Sequence, residues 1–450
     1  MQRLKIGTLL LMIAWFTMLS GMQQYPSISL QEARDLALQK NPEYQSARSA
    51  LNAARWSKTN ALSAMLPSLS FSGTVLYMDP ATTVNTGSTQ MKLNHDQRSM
   101  ALNLSQPLFM GGKLYQAHKI TEASQEIAKL NLDAQGLTLI SGVESKYYSV
   151  LQLLSAQEIA NSEQEGAIQN LELAALKQQN GLISRADFLR FQATKNNKDL
   201  ALLQTETALQ LALRDFNNYL GLEKLYMPSP LSLGGDEVQI FIELDAEGIE
   251  TFTDNALARA KKESISLRTL HKSLELSERA YSIARGNFLP TLMLTGSLQY
   301  RENGIDRYEF EASNQIMLNL SVPLLPQVGN YAASRKAYFE AEKQRYSAQA
   351  ASDGIALGVE SAAINLISSA RQVHSAELSL EITQDMYDQL AERFRLNMLS
   401  GMELLDAELM LSAARMAYNN AYYSFFKARL SLLMALGTDD YNVLNTLIQK

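Results

Sequence analysis

From Ser68 to Tyr77 the chain alternates: Leu69, Phe71, Gly73, Val75 and Tyr77 share one parity, and Ser68, Ser70, Ser72, Thr74 and Leu76 the other. A period of two puts each set on its own face of a β-strand. One face is apolar and the other mostly hydroxylic, as in a strand between lipid and a watery lumen. The stretch Leu66–Tyr77 (LPSLSFSGTVLY) returns as Leu289–Tyr300 (LPTLMLTGSLQY), with five of twelve positions identical. Ser99–Leu108, with Leu102, Leu104 and Leu108 on one face, predicts a second strand. The polar, turn-rich Asp79–Arg98 predicts a long loop, which closes a hairpin over 66–108. In the second half Gln315–Leu324 predicts the partner of Leu289–Tyr300, across a loop with Asn303 and Gly304, for a hairpin over 289–325.

Elsewhere the pattern is helical. Ser29–Met65 carries an apolar stripe beginning at Leu30, Ala33, Leu36, Ala37 and Leu38. Ser29 and Glu32 have capping-box spacing, Asn41-Pro42 breaks or kinks the run, and Pro67 ends it. No proline occurs from Leu108 to Met227 or from Gln327 to Lys450, so both windows predict very long helices. Lys113–Gln179 would be roughly 100 Å long at about 1.5 Å per residue. A second helix is expected over Arg185–Leu220, with Leu200, Leu203 and Leu211 at coiled-coil-like spacing. The short turn Asn180–Ser184 makes the two an antiparallel hairpin. Met227–Thr253 is irregular, with Pro228, Pro230, Gly234 and Gly235 and a short strand expected at Val238–Leu244. Thr253–Phe288 is again helical.

Three further pairs are all separated by 216 residues: Leu102–Leu108 (LNLSQPL) with Leu318–Leu324 (LNLSVPL), Gly142–Ser145 with Gly358–Ser361, and Leu220-Gly221 with Leu436-Gly437. The reading is an internal two-fold repeat. Residues 23–226 form the first copy, with a long helical hairpin over 112–221, and 227–252 a linker. Residues 253–438 form the second copy, with a helical hairpin over 330–437, and 439–450 a tail. Four strands cannot close a barrel, and lipid cannot satisfy an open sheet edge. Strands that cross a membrane must therefore be pooled, eight from two chains or twelve from three, and strand count does not choose between them.

Net charge is −6 with no basic tract, which argues against nucleic acid. The absence of cysteine excludes disulfides, thiolate metal sites, a cysteine nucleophile and a lipid-anchored N-terminal cysteine. Arg3 and Lys5 before the apolar Ile6–Leu19, then Ser20 and Gly21, read as a secretory signal over 1–22. The A-x-A pattern is missing, so the cleavage position is open and an uncleaved anchor is the alternative. Beyond residue 25 no run of 18 apolar residues occurs. His95, His118, His271 and His374 lack metal-ligand spacing, and neither a phosphate-binding glycine loop nor a G-x-S-x-G elbow appears. No catalytic, metal or cofactor site is expected. Tyr422, Tyr423, Phe425 and Phe426 read as interhelical packing, with a substrate-binding belt as the alternative. Tyr77 and Tyr300 read as an interfacial girdle or as packing at the loop base.

LPSLSFSG and LPTLMLTG, PLFMGG after the second strand, and the segments GLISRADFLRFQA and NMLSGMELLDAEL resemble the TolC family of outer-membrane efflux proteins over about residues 28–438. The resemblance implies an α+β membrane protein, a trimer with a 12-stranded outer-membrane β-barrel, four strands per chain, continuous with a long periplasmic α-helical barrel. It implies an exit duct for efflux or type I secretion. Its partners would be two more copies of the chain, a periplasmic adaptor, a proton-driven or ATP-driven inner-membrane pump and outer-membrane lipid. The two tight turns would form the periplasmic tip, with Gly181, Leu182, Ser184, Asn397, Ser400 and Gly401 as adaptor contacts. Asp187, Glu403 and Asp406 fall on the family's acidic tip positions, and in a trimer would ring the pore. Asp187 and Glu403 equally fit capping boxes with Ser184 and Ser400; Asp406, a turn further in, does not. Asn397 replaces the usual glycine but tolerates a left-handed turn. Leu399 stands where some members place a gate arginine, which leaves Arg185, Arg393 or Arg395 as substitutes. A periplasmic coiled-coil tethering protein, with soluble β-hairpins, is the alternative from another class.

Overall fold

The computed structural model describes residues 25–87, 89–92, 95–230, 236–302, 309–325 and 327–448. The expected signal over 1–22, Gly234, Gly235, and the Asn303–Gly304 loop lie outside them. The chain divides into two compact units: 46–133 with 265–354, and the stretch to Gln45 with 134–264 and 355 onward.

The first unit holds most of helix α2 (Pro42–Ser63; α1 is Leu30–Lys40), strand β2 (Ser68–Tyr77; β1 is Ser27–Ile28), a small hairpin of β3 (Thr83–Thr86) and β4 (Thr89–Lys92), and β5 (Asp96–Met110). It also holds the start of α3 (Lys113–Gln179). From the second half come α7 (Ile265–Gly286), β7 (Thr291–Glu302), β8 (Phe310–Ser321) and the start of α8 (Val328–Arg395). Four strands form one antiparallel sheet in the order β2-β5-β7-β8, open at both edges. The expected Asp79–Arg98 loop is partly ordered, since β3 and β4 pair within it and β5 begins at Asp96. The two matching LNLS-x-PL segments also part company. β5 runs through Pro107, whose missing N–H is accommodated at a bulge between Pro107 and Phe109. β8 instead starts five residues before the expected Gln315 and stops at Ser321, ahead of Pro323.

Helices set the second unit. Here α3 and α4 (Arg185–Tyr219) are joined by one tight turn, and α8 and α9 (Gly401–Leu436) by another. β1 pairs in parallel with β6 (Met227–Pro228), and the buried Tyr147 hydroxyl lies 3.1 Å from the Ile28 carbonyl and 2.7 Å from that of Ser229. Burial pushes the Tyr147 phenol up to about 12. The core gathers Tyr147, Tyr148, Phe216, Phe425 and Phe426, all under 2 % exposed. This fixes Phe425 and Phe426 as packing residues. The buried Glu144 is bonded by the Arg34 guanidinium and the Tyr441 hydroxyl, and Arg429 lies 4.3 Å from the Tyr441 ring.

Two expectations fail in this unit. Val238–Leu244 is not a strand; α5 (Asp236–Ile242) is helical there. Val238 and Phe241, three apart, both go into the core, and Phe241 packs on Phe252 at 5.7 Å between ring centroids. Strand alternation could not bury that pair. The helix from Thr253 is two helices, α6 (Ala246–Glu263) and α7, because the buried Ser264 adopts an extended ψ of 123°. The tail over 439–450 contains α10 (Asn442–Ile448), which buries Val443, Leu444 and Leu447. The Asn255 amide fixes it by donating to the Leu447 carbonyl at 3.0 Å.

Candidate functional site: the two-faced sheet and the helical tip

The sheet's register decides which side chains share a face, since directly paired residues point the same way. One face carries the rows Leu69–Leu104–Gly296–Ile316, Phe71–Leu102–Leu298–Asn314 and Gly73–Met100–Tyr300–Ala312. The other carries Ser68–Ser105–Thr295–Met317, Ser70–Asn103–Ser297–Gln315 and Ser72–Ala101–Gln299–Ser313. The alternation seen in β2 thus holds across all four strands. Phe71 at 70 % and Ile316 at 85 % exposure show that none of the described residues covers the apolar face at these strands. Beyond the sheet, Gly111 has φ +63°, and a Cβ there would stand 2.3 Å from the Gly286 carbonyl oxygen. A Cβ on Gly286 would in turn lie 2.6 Å from the Gly111 oxygen. The PLFMGG segment ends in glycine because the backbone after β5 crosses the end of α7 at contact distance.

At the other functional candidate, the tip, both long helices end alike. Leu182 N donates to the Lys177 carbonyl and Gly181 N to that of Gln178, at 2.8 and 3.0 Å. Met398 N donates to the Arg393 carbonyl and Asn397 N to that of Phe394, at 2.9 and 3.2 Å. This is a Schellman ending, which needs a left-handed residue at the turn. Gly181 supplies it at φ 72° and Asn397 at φ 61°, so asparagine does hold the second turn.

The next helix then starts on a capping box in each hairpin. The Ser184 hydroxyl accepts from Asp187 N while Asp187 accepts from Ser184, and Ser400 with Glu403 repeat the arrangement. These serine hydrogen bonds hold both carboxyls below their usual range. Asp187 and Glu403 are therefore capping residues. Asp406 is exposed, one turn further along, with no hydrogen bond among the described residues.

Of the proposed adaptor contacts, Gly181, Leu182, Ser184, Asn397 and Ser400 are exposed, whereas Gly401 is buried. A Cβ on Gly401 would lie 2.8 Å from the Phe191 ring, which packs on Phe394 at 5.5 Å between centroids. Leu399 packs against the same cluster. The arginines considered as its substitutes are exposed, and Arg395 lies 3.6 Å from Glu392 on its own helix.

The residue that ties the two turns together was missed in the sequence. Lys177 is buried; its ammonium donates to the Phe394 carbonyl at 2.6 Å and to the Asn397 side-chain oxygen. It also sits 4.6 Å from the centre of the Phe394 ring. Burial pushes its pKa down. Its only sequence signal is a lysine in the last turn of a helix, where the exposed carbonyls attract a cation.

The chain thus combines long capped helical hairpins with a two-faced sheet that is open at both edges. No helix among the described residues is long and apolar enough to cross a membrane. The model of the family described as outer membrane efflux protein matches residues 33–222 and 256–438, and the chain belongs to that family. It is similar to the alkaline protease secretion protein AprF of Pseudomonas aeruginosa, 22% identical over 92% of this chain and 85% of that protein. Similarity to the outer membrane protein TolC of Escherichia coli K12 is also 22%, over 94% and 85%. The fold matches the crystal structure of the CmeC outer membrane channel of Campylobacter jejuni with a TM-score of 0.77 at 17% identity, over 93% of this chain and 89% of that one. The protein is thus a channel of the bacterial outer membrane serving efflux or secretion, in a family of channels and not of enzymes. The tethering alternative falls with this assignment.

Proposed function

We propose that three copies of the chain pool their sheets into one closed twelve-stranded barrel, which continues as a tube of long helices into the periplasm. The observation that carries this reading is the open sheet with bare edges at β2 and β8 and one apolar face. Lipid solvates such a face but not such edges. Each β2 then pairs with β8 of the next copy. The helical tip receives a periplasmic adaptor at Gly181, Leu182, Ser184, Asn397 and Ser400, and an inner-membrane pump, proton-driven or ATP-driven, supplies the energy. AprF is named for the secretion of alkaline protease, and a secreted protein or a small molecule are both cargoes for a duct of this kind. Asp406 rings the pore in the trimer, while Asp187 and Glu403 hold the helix starts beside it.

The chain has no native cysteine, so introduced pairs report cleanly. One cysteine on β2 and one on β8 should give disulfide-linked trimers in outer membranes, through at least one pairing in a scan of the two strands. Crosslinks confined to dimers, or none anywhere in the scan, would remove the trimeric barrel. For the tip, Asp406→Asn should lower cation selectivity in bilayer recordings, and unchanged selectivity would leave the ring without support.

A further inference from the structure

The four helix ends that adjoin the sheet, all in the first unit, share one composition. No Asp or Glu occurs in residues 52–67, 108–121, 279–290 or 322–339, although the chain as a whole has a net charge of −6. The charges in these stretches are arginines and lysines. Lys58 and Lys119 pair with Glu122, and Arg279 with Glu275, both acids lying just outside. Arg55, Lys113, Arg285, Arg335 and Lys336 have no carboxylate partner among the described residues. The same stretches expose the rings of Trp56, Tyr115 and Tyr331, Trp56 at 73 %.

The order of side chains along the chain is that of a membrane surface. Past the end of β8, Leu324, Leu325 and Val328 are exposed, Leu325 at 91 %; Tyr331 follows, then Arg335 and Lys336. Val328, Tyr331 and Arg335, at i, i+3 and i+7, share one face of α8. Toward β2 the same order runs in reverse, from Arg55 and Trp56 to the exposed Leu62 and Leu66. Apolar, aromatic and cationic side chains in that order match hydrocarbon, interface and headgroups. Trp56 and Arg335 lie roughly 10 Å along their helices from the ends that meet the sheet, at about 1.5 Å per residue, and long basic side chains reach the headgroup layer from there.

Two of the unpaired cations are held in place. Tyr281 of α7 and Tyr338 of α8 pack edge to face at 5.7 Å between ring centroids. The Arg285 guanidinium lies 5.9 Å from the centre of the Tyr281 ring. That of Arg335 lies 5.2 Å from the Tyr338 ring and 4.7 Å from that of Phe339. Neither guanidinium donates a hydrogen bond among the described residues. The rings thus orient both groups and leave their N–H forks open to a bidentate oxyanion. Lys113, the first residue of α3, stands close by, its ammonium donating to the Asn287 side-chain oxygen at 3.2 Å.

We propose that this collar binds the phosphate headgroups of anionic phospholipid in the membrane leaflet nearer the helices, with Arg285 and Arg335 as its phosphate clamps. It rests on the reading of the sheet as membrane-spanning and adds a lipid class to it. The occupant is lipid and not a soluble phosphate because the cations continue a run of exposed apolar residues, which a soluble anion would leave bare and acyl chains cover.

The test uses the full-length channel, delipidated in neutral detergent, with loss of the assembled form followed on gels as temperature rises. Phosphatidylglycerol should raise the midpoint saturably, and phosphatidylcholine much less. Arg285→Gln and Arg335→Gln should each raise the phosphatidylglycerol concentration that gives half the shift about fivefold. Lys261→Gln with Lys262→Gln, on α6, should leave that concentration unchanged. In a Trp15→Phe background Trp56 is the only tryptophan, and phosphatidylglycerol brominated near the headgroup should quench it more than lipid brominated near the chain ends. Equal shifts with phosphatidylcholine, shifts reproduced by glycerol 3-phosphate, arginine variants that respond as wild type, or a Trp56 that no brominated lipid quenches would each overturn the collar. Any of these in a channel whose β2 and β8 cysteines still crosslink into trimers leaves the barrel standing; missing crosslinks remove the barrel and the collar with it.

Discussion

Glu144 and Glu360 sit at matching places in the two GVES segments, yet only Glu144 is buried, under Arg34 and Tyr441. Glu360 is exposed. Residue identity at paired positions therefore did not reveal which carboxylate enters the core; the partners that decide it come from the ends of the chain. The tip acids show the reverse, because capping is a local device written in four consecutive residues. The serine bonds lower the Asp187 and Glu403 pKa values in the folded state. Their contribution is thus fully present above the unfolded carboxyl values of about 4 and is lost as pH falls through the lower folded ones. Hydrogen exchange should show the first turns of α4 and α9 losing protection in acid before the helix centres do. In Ser184→Ala with Ser400→Ala those turns should be weakly protected already near neutrality, by about 1 kcal/mol per cap.

At the scale of elements, the long helices and the strands were legible because each rests on a pattern that holds over many residues. Freedom from proline spans all of α3, and Lys113–Gln179 matches the expected range. Short elements were not legible. α5 offers seven residues, too few to separate a helical from an alternating pattern, and its burial depends on Phe252 and Phe425 from elsewhere. The break at Ser264 has no proline or glycine to announce it. PLFMGG was legible as a motif, but its physical reason needed the Gly286 oxygen. Gly111→Ala should cost at least about 2 kcal/mol, from the left-handed backbone and the displaced helix end together. A lower temperature for loss of the assembled channel on gels would report it, whereas Gly112→Ala meets open space and only the left-handed strain at φ 75°.

For the molecule as a whole, the pattern pointed to membrane strands because the membrane imposes a simple demand, one apolar face and no unsatisfied edge, while the channel class came from the resemblance carried by LPSLSFSG, PLFMGG and the two turn segments. The face emerges complete only once register aligns four strands that are far apart in sequence. Phe71→Arg should destabilise the inserted channel by about 2–4 kcal/mol if it lies near mid-membrane, and Ser70→Arg on the opposite face much less. Yields of assembled channel in isolated outer membranes should differ accordingly; a greater loss from Ser70→Arg would mean the faces are assigned the wrong way round, and equal yields that neither face meets lipid. What sequence could not reach is the tip's internal wiring. Lys177 bonds residues 217 and 220 positions away, and nothing near it in the chain marks it out.

If copies of the chain pool their sheets as proposed, the order β2-β5-β7-β8 has a consequence for how the ring comes together. Three seams are made within each chain, so only the seam from β8 to β2 is left for a neighbour. A lone subunit has two bare borders, and so does a linked pair; joining a second copy moves the border without removing any. The count falls to zero only when the last copy completes the circle. Stability against lipid thus arrives in one step, and partly built rings gain nothing at their ends that would let them linger in the membrane.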